Sequence, residues 1–113
     1  MPGYCVSRSL QFKARHSHRG LLQEKSHIHT YTLRISIKGK AGKEGFVCDF
    51  RILKRVIQNR ILSRLHGANL DDLFSYPTAE NIAVWVWKEM AFFFPLSKVE
   101  IREKPYAWVE FSG

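Results

Sequence analysis

A long alternation of apolar and polar side chains, from residue 27 to residue 38, constrains the fold of this chain most strongly. Because successive side chains of a β-strand point to opposite faces, the pattern predicts one strand with a buried face and a solvated face. The buried face would carry His27, His29, Tyr31, Leu33, Ile35 and Ile37, and the solvated face Thr30, Thr32, Arg34, Ser36 and Lys38. A sheet with one solvated face is typically antiparallel.

Further strands are predicted on both sides of this one. The same alternation over residues 4–12 predicts a first strand, followed by a polar, irregular loop at residues 13–26. Residues 99–101 and 107–111 predict two short closing strands, with the turn between them near Lys104 and Pro105.

Two helices are predicted between the strand pairs. Asp49 is a suitable N-cap for the first, and apolar residues follow it at helical spacing, namely Phe50, Leu53, Val56, Ile57, Ile61 and Leu65. Pro77 and Thr78 open the second helix, and Pro95 stops it. The order ββααββ predicts an α+β fold in which both helices lie on one face of an antiparallel sheet.

Length and composition exclude several classes of protein. The 113 residues suffice for a single domain, residues 1–113, with no linker or repeat. The apolar run at residues 82–87 is far shorter than the roughly 18 residues that span a membrane, and no signal-peptide pattern precedes the first strand. Two cysteines, Cys5 and Cys48, are too few for a disulfide scaffold. We therefore expect a cytoplasmic protein that does not enter the membrane.

The charge is concentrated in the first part of the chain. Residues 1–64 carry 14 basic and 3 acidic side chains, whereas residues 65–113 carry 4 basic and 7 acidic ones. Such asymmetry indicates an anionic partner or a solvated basic face. Nucleic acid is the weaker interpretation, because Trp85 and Trp87 lie at core spacing on a predicted helix.

Three histidines are candidate metal ligands. His27 and His29 are two residues apart on a predicted strand, so their imidazoles emerge on the same face. His16, in the preceding loop, can supply a third nitrogen if the first two strands pair. Three imidazoles leave one position of a tetrahedral zinc ion open, which is typical of a catalytic site. A solvated histidine-rich surface is the alternative interpretation.

Five segments, in order along the chain, resemble motifs of the 6-pyruvoyltetrahydropterin synthase family, which includes the 6-carboxytetrahydropterin synthases. The segments are residues 12–16 (FKARH), 27–31 (HIHTY), 45–50 (GFVCDF), 77–83 (PTAENIA) and 99–103 (VEIRE). The resemblance implies the tunnelling fold, in which ββααββ subunits close a β-barrel as trimers, often paired into hexamers. It also implies zinc on His16, His27 and His29, and a pterin pocket between subunits.

The resemblance further implies that Glu103, Thr78 and Glu80 bind the pterin ring. A carboxylate can accept two hydrogen bonds from the ring N–H and the exocyclic amine of a 2-amino-4-oxo heterocycle. Each residue also has a purely structural interpretation. Thr78 is a good helix N-cap, Glu80 favours a first helical turn, and Glu103 can pair with Lys104.

The chain departs from the family pattern at the catalytic residues. Gln23 stands where many members carry a nucleophilic cysteine, but the adjacent Glu24 resembles the branch in which glutamate replaces that cysteine. That branch converts 7,8-dihydroneopterin triphosphate to 6-hydroxymethyldihydropterin, so Glu24 is the candidate base. His66 and Gly67 stand where the family has an Asp-His pair, and His66 is the candidate for proton transfer.

These departures leave two main hypotheses. In the first, the chain is a zinc-dependent lyase that acts on the side chain of 7,8-dihydroneopterin triphosphate, whose charge the basic first half of the chain would neutralise. Its product is left open between 6-hydroxymethyldihydropterin and 6-carboxytetrahydropterin. In the second, it is a catalytically inactive zinc- and pterin-binding homo-oligomer. A chain of 113 residues is too short to enclose a pterin alone, so both hypotheses predict a site between subunits, and the resemblance implies that the oligomer is a homo-trimer or homo-hexamer.

Overall fold

Two long strands pair along their whole length. The computed structural model describes residues 3–16 and 27–113, and of His27 it gives the backbone alone. Strand β1 (Tyr4–His16) pairs antiparallel with β2 (His27–Gly39), and their register runs from Tyr4 opposite Gly39 to His16 opposite His27. The alternation of apolar and polar residues from 27 to 38 therefore correctly predicts β2.

Strand β1 is longer than predicted. Residues 13–16, which the composition assigns to a loop, continue the strand, so His16 lies in β1 and not in a loop. Lys13 and Arg15 are exposed, whereas Ala14 and His16 are buried, so the two-residue period persists through these charged positions. Backbone pairing with β2 stabilises this end of the strand, and local composition carries no record of that pairing.

Two further strands complete the sheet within the described residues. Strand β3 (Leu96–Lys104) pairs with β2, and β4 (Ala107–Phe111) pairs with β3, both antiparallel, in the order β1-β2-β3-β4. The β3–β4 register shifts between Arg102 and Lys104, which leaves Glu103 as the extra residue of a bulge. The β2–β3 ladder ends at the pair Thr32–Arg102, one position before Glu103.

The first predicted helix is present but locally widened. It consists of α1 (Phe50–Ile57), a π-helical segment (Gln58–Leu62) and α2 (Ser63–Leu65). Asp49 caps α1 as predicted, because its carboxylate accepts a hydrogen bond of 2.8 Å from the Arg51 backbone N–H. A short helix that was not predicted, α3 (Leu70–Leu73), follows and is capped by Asn69.

The second predicted helix is α4 (Ala79–Met90), and Thr78 is its N-cap. It ends at Met90, before the predicted stop at Pro95, and Pro95 immediately precedes β3. In the described part of the chain, none of the helices is long and apolar enough to cross a membrane.

The hydrophobic core lies between the helices and one face of the sheet. Its fully buried members come from the first three strands and from the helices, and include Phe12, Leu33, Ile35, Leu53, Ile57, Ile61, Ile82, Val86, Met90, Val99 and Ile101. Trp85 and Trp87 pack against this core, with edge-to-face contacts to Phe74 and Phe111. This packing supports the core interpretation of the two tryptophans. The fold is α+β, with the helices on one face of the antiparallel sheet, as predicted.

Candidate functional site

Two histidine rings meet on the helix-facing side of the sheet. His16 ends β1, and its side chain is 1% exposed. Its ring centroid lies 4.5 Å from that of the half-buried His29, with an angle of 25° between the planes. The β1–β2 register explains this contact, because Ala14 faces His29 and therefore places His16 diagonally across from it.

A carboxylate from a distant part of the chain joins these rings. Glu103 Oε1 lies 3.7 Å from His16 Nε2. One ligand atom from each of His16, His29 and Glu103 lies within 4.8 Å of the other two. Glu103 follows the buried Ile101 by two residues and therefore shares its helix-facing side of β3, where it is the extra residue of the bulge.

The arrangement fits a divalent cation such as zinc. Four ligands at about 2.0–2.2 Å in a tetrahedron lie roughly 3.3–3.6 Å from one another, so shifts of about 1 Å would bring these three atoms onto one ion. Imidazole nitrogen and carboxylate oxygen are both common zinc ligands. Of the predicted ligands, His16 and His29 are together, and the backbone of His27 lies opposite His16.

The side chain of Tyr31 lies close to both imidazoles of the cluster. It is fully buried and stacks on Phe12 with a centroid distance of 4.8 Å. Its ring lies 6.2 Å from that of His16 and 6.0 Å from that of His29. Burial, and secondarily the negative charge of Glu103, raise the pKa of the Tyr31 phenol far above its ordinary value. The phenol is therefore neutral and can donate a hydrogen bond at any physiological pH.

The predicted pterin-binding residues line a common pocket. Thr78, Glu80 and Glu103 all contribute to an open pocket of about 280 Å³, whose remaining wall consists of Ala79, Ile101, Ala107, Trp108 and Val109. Apolar walls with a few convergent polar groups are typical of small-molecule sites. Glu103 belongs both to this pocket and to the histidine cluster, so the pocket and the cluster adjoin.

Thr78 also has the structural role that its position suggested. Its hydroxyl oxygen accepts a hydrogen bond of 3.1 Å from the Asn81 backbone N–H at the start of α4. The Asn81 side chain in turn donates to the Tyr76 carbonyl at 2.9 Å. Two hydrogen bonds thus stabilise the N-terminus of α4. This end of the helix carries Glu80 at the rim of the pocket.

His66 lies at the outer edge of β1 and is not a member of the cluster formed by His16, His29 and Glu103. Its Nδ1 accepts a hydrogen bond of 3.2 Å from the Lys13 backbone N–H. Next to it, the Gly67 N–H donates to the Lys13 carbonyl at 2.6 Å, and the Arg15 N–H donates to the Ala68 carbonyl at 2.8 Å. The proposed role of His66 in proton transfer remains a prediction, and Glu24, the candidate base, lies outside the described residues.

Sequence reasoning placed Tyr31 in the core and did not assign it to the site. The available signal was its spacing, since Tyr31 follows His29 by two residues and therefore shares its face of the strand. The sequence also assigned Glu103 to the pterin alone. Nothing in the local sequence indicates its distance from His16, because that distance depends on the pairing of three strands and a bulge.

Comparison with known proteins identifies the class of this chain. The model of the family described as 6-pyruvoyl tetrahydropterin synthase matches residues 5–113. The chain therefore belongs to this family, as the sequence motifs indicated.

Curated relatives carry different activities in their names. A dihydroneopterin monophosphate aldolase of Pyrococcus furiosus is 36% identical over 75 residues, which cover 66% of this chain and 64% of that protein. An Archaeoglobus fulgidus protein, provisionally named 6-carboxy-5,6,7,8-tetrahydropterin synthase, is 31% identical over 93% of this chain and 92% of its own length. The match to the Pyrococcus furiosus protein thus spans less than two thirds of that relative.

Solved structures share the fold. The Caenorhabditis elegans 6-pyruvoyl tetrahydropterin synthase superposes with a TM-score of 0.84 at 23% identity, over 100% of this chain and 97% of that one. A Plasmodium vivax 6-pyruvoyltetrahydropterin synthase, solved as the alanine variant of a catalytic glutamate, gives a TM-score of 0.75 at 14% identity and covers both chains completely. At these identities the likeness establishes the fold alone.

Proposed function

We propose that this chain is a zinc-dependent lyase that cleaves the side chain of 7,8-dihydroneopterin triphosphate. The observation that carries the proposal is the position of Glu103. It belongs both to the cluster with His16 and His29 and to the pocket lined by Thr78 and Glu80. A cluster that can hold a metal, next to a pocket with carboxylates, suits one kind of ligand. Its heterocycle would bind in the pocket, and its side chain would reach the metal.

The zinc ion would be held by His16 and His29, with His27 as the third imidazole. His27 is supported by the register, which puts its backbone directly opposite that of His16 and two residues before His29. Zinc bound there would lower the pKa of a hydroxyl group on the substrate side chain.

The pterin ring would be held by the pocket. The Glu103 carboxylate accepts from the ring N–H and the exocyclic amine, and Glu80 offers a second acceptor from the rim. The aliphatic side chains of Ile101 and Val109 cover the ring faces, and Trp108 lines the same wall. Because the pocket is open on one side, we expect a second subunit of a homo-trimer or homo-hexamer to complete it.

We assign the bond cleavage to the aldol type, with Glu24 as the base. Glu24 takes the proton from the hydroxyl on the second side-chain carbon, and the bond between the first and second carbons breaks. The electron pair enters the dihydropterin ring and returns to the first carbon with a proton. The products are 6-hydroxymethyl-7,8-dihydropterin and a triphosphorylated glycolaldehyde, and no oxidant is needed.

Two relatives support this assignment by their names. The Pyrococcus furiosus relative is called an aldolase of a dihydroneopterin phosphate, and the Plasmodium vivax structure bears a substitution of a catalytic glutamate.

The test is incubation of the zinc-loaded protein with 7,8-dihydroneopterin triphosphate, followed by chromatography of the pterins. We expect 6-hydroxymethyl-7,8-dihydropterin as the product, and we expect Glu24→Gln to lower kcat by about 100-fold or more. Gln23→Ala is the matched control and should retain activity. Unchanged turnover in Glu24→Gln would show that another group is the base.

The inactive zinc- and pterin-binding protein is the second candidate. The position of His66 favours it, since its Nδ1 is engaged by the Lys13 backbone at the edge of the sheet. Pterin binding by calorimetry without any turnover of the triphosphate or of the monophosphate would establish this alternative. Turnover of the monophosphate alone would keep the aldol chemistry and correct the substrate.

A further inference from the structure

Glu103 faces two sites that would both use its carboxylate. Toward β1, its Oε1 is 3.7 Å from His16 Nε2, close to the roughly 3.3–3.6 Å between two ligands of one zinc ion. Toward α4, it lines the pocket with Thr78 and Glu80. The cluster on β1 and the pocket beside α4 lie in different directions from Glu103, so a carboxylate aligned with both N–H groups of a pterin ring would no longer face His16.

Whether Glu103 binds the metal determines how many protein ligands the metal would have. The proposed site has three imidazoles, and the addition of Glu103 would give four protein ligands. Zinc with four protein ligands is typical of closed structural sites, whereas catalysis requires an open position. A site that keeps Glu103 on the metal is therefore closed to a substrate hydroxyl.

We propose that Glu103 ligates the metal while the pterin pocket is empty and moves to the pterin ring when the substrate binds. The inference rests on the proposed function, because it takes a pterin as the ligand of the pocket. Binding of the ring then vacates a coordination position at the moment when the substrate side chain arrives. The metal site would be closed at rest and opened by its own substrate.

The backbone around Glu103 suits such a movement. The β2–β3 ladder ends at Thr32–Arg102, and the β3–β4 register shifts at Glu103, so this residue is outside regular pairing on both sides. Its side chain is half-buried, whereas Glu100, inside the ladder, is buried and held by Arg34. The carboxylate at the bulge thus has fewer restraints than that of Glu100 on the same strand.

Tyr31 is a fixed neighbour of Glu103 in both proposed positions of its carboxylate. Continuing the β2–β3 register by one step places Tyr31 opposite Glu103 on the same face of the sheet. The buried Tyr31 ring packs against Phe12, so it stays in place when the Glu103 carboxylate moves. Its hydroxyl can donate a hydrogen bond to Glu103 when the carboxylate lies beside the histidines.

Metal affinity is the first test, and it uses the full chain with cobalt(II) as the metal. Removal of a ligand should weaken binding, so we expect Glu103→Gln to raise the Kd for cobalt by about 10- to 100-fold. Glu80→Gln is the matched control, because it removes the same charge from the same pocket at a residue that is not a member of the histidine cluster. An equal loss in both variants, or no loss in Glu103→Gln, would overturn the proposal.

The exchange itself is tested by the visible spectrum of the cobalt-loaded protein. The probe is 2-amino-4-oxopyrimidine, which has the donor edge of a pterin but no side chain to bind the metal. We expect the probe to change the spectrum of the wild-type protein and to leave that of Glu103→Gln unchanged. A change in both proteins would mean that the probe binds the metal directly, and it would refute the exchange.

The outcome is separable from that of the proposed function. Failure of turnover with an intact spectral response would reject the lyase and retain the exchange. Turnover with a spectrum insensitive to the probe would retain the lyase and reject the exchange. If Glu103→Gln does not fold, Glu103→Asp keeps the charge on a shorter side chain and should give an intermediate loss of cobalt affinity. Unchanged affinity in Glu103→Asp, together with a wild-type response to the probe, would contradict the proposal.

Discussion

Arg34 and Glu100 face each other across β2 and β3 and form a two-point ion pair on the face of the sheet opposite the helices. The Glu100 side chain is 7% exposed, whereas that of Arg34 is 43% exposed. The guanidinium holds the pKa of the Glu100 carboxyl below its ordinary value of 4.5, mainly by hydrogen bonding. Lys98 lies 3.9 Å from the same carboxylate and adds to this effect.

Acid should therefore weaken the fold through Glu100. A lowered pKa in the folded state contributes stability that is fully present above pH 4.5 and is lost as the pH falls through the folded-state pKa. We expect Glu100→Gln to lower the free energy of unfolding at pH 7 by about 1–2 kcal/mol, a range reduced for the exposure of Arg34. Urea denaturation at pH 7 and pH 3 measures this difference, which should shrink at pH 3.

Glu110 offers a matched control for that experiment. It lies beside Glu100 on β4 and approaches Lys98 at 3.7 Å, but its side chain is 47% exposed. Glu110→Gln should change stability by less than about 0.5 kcal/mol, as is usual for exposed pairs. Equal effects of the two substitutions at pH 7 would contradict the special role of the Arg34–Glu100 pair.

Thr78 allows its two roles to be separated. Thr78→Ala removes the acceptor for the Asn81 N–H and should destabilise the protein by about 1 kcal/mol, as N-cap losses do. Thr78→Ser keeps the hydroxyl and should restore the thermal midpoint. Calorimetry with a pterin then shows the second role, because a residue that only caps α4 leaves the pterin Kd unchanged in both variants.

Gly67 has a backbone conformation that other residues rarely adopt. Its φ is +77°, and among the described residues no atom beyond its chain neighbours lies within 4 Å of the position that an alanine methyl would take. The cost of a side chain would therefore be conformational and not steric, and Gly67→Ala should lower stability by about 1–2 kcal/mol. Gly42→Ala is the control, since Gly42 has no positive φ and its added methyl would make only an ordinary contact with the Phe46 carbonyl. Equal thermal midpoints for the two variants would contradict this account.

Zinc should stabilise the folded chain if the histidine cluster holds it. Free zinc at about 1,000 times its Kd would raise the free energy of unfolding by about 4 kcal/mol, and a chelator should reverse the effect. In His29→Ala the zinc-dependent rise in thermal midpoint should be lost. In His66→Ala it should persist, because His66 lies at the other edge of β1. A rise retained in His29→Ala would place the metal elsewhere.

The sequence predicted those features that depend on neighbouring residues. The alternation around Leu33 identified β2, and the capping residues Asp49 and Thr78 marked the starts of two helices correctly. The same local rule placed His29 on the inner face of its strand. Resemblance to a family then supplied the association of Thr78, Glu80 and Glu103, which line one pocket in the structure.

Features that depend on distant pairing were missed or misplaced. The end of β1 was assigned to a loop because Lys13 and Arg15 are charged, although pairing with β2 keeps them extended. The bulge at Glu103 has no local signal, since the residue is flanked by equally polar neighbours. The π-helical segment at Gln58–Leu62 preserves the apolar spacing around Ile61, so periodicity alone did not reveal it.

The loop after α2 determines how far the sheet can grow. Gly67 and Ala68 bond to Lys13 and Arg15, so the last part of the outer edge of β1 is already occupied. By the two-residue period, the backbone N–H and C=O groups of residues 5, 7, 9 and 11 point to the same outer edge as those of residues 13 and 15. Within residues 3–16 and 27–113, no backbone hydrogen bond to these groups is formed on that edge. On this edge of the sheet, a neighbouring strand can therefore pair only along the first part of β1. The loop therefore limits the register in which a strand of a second chain can pair with this edge of β1.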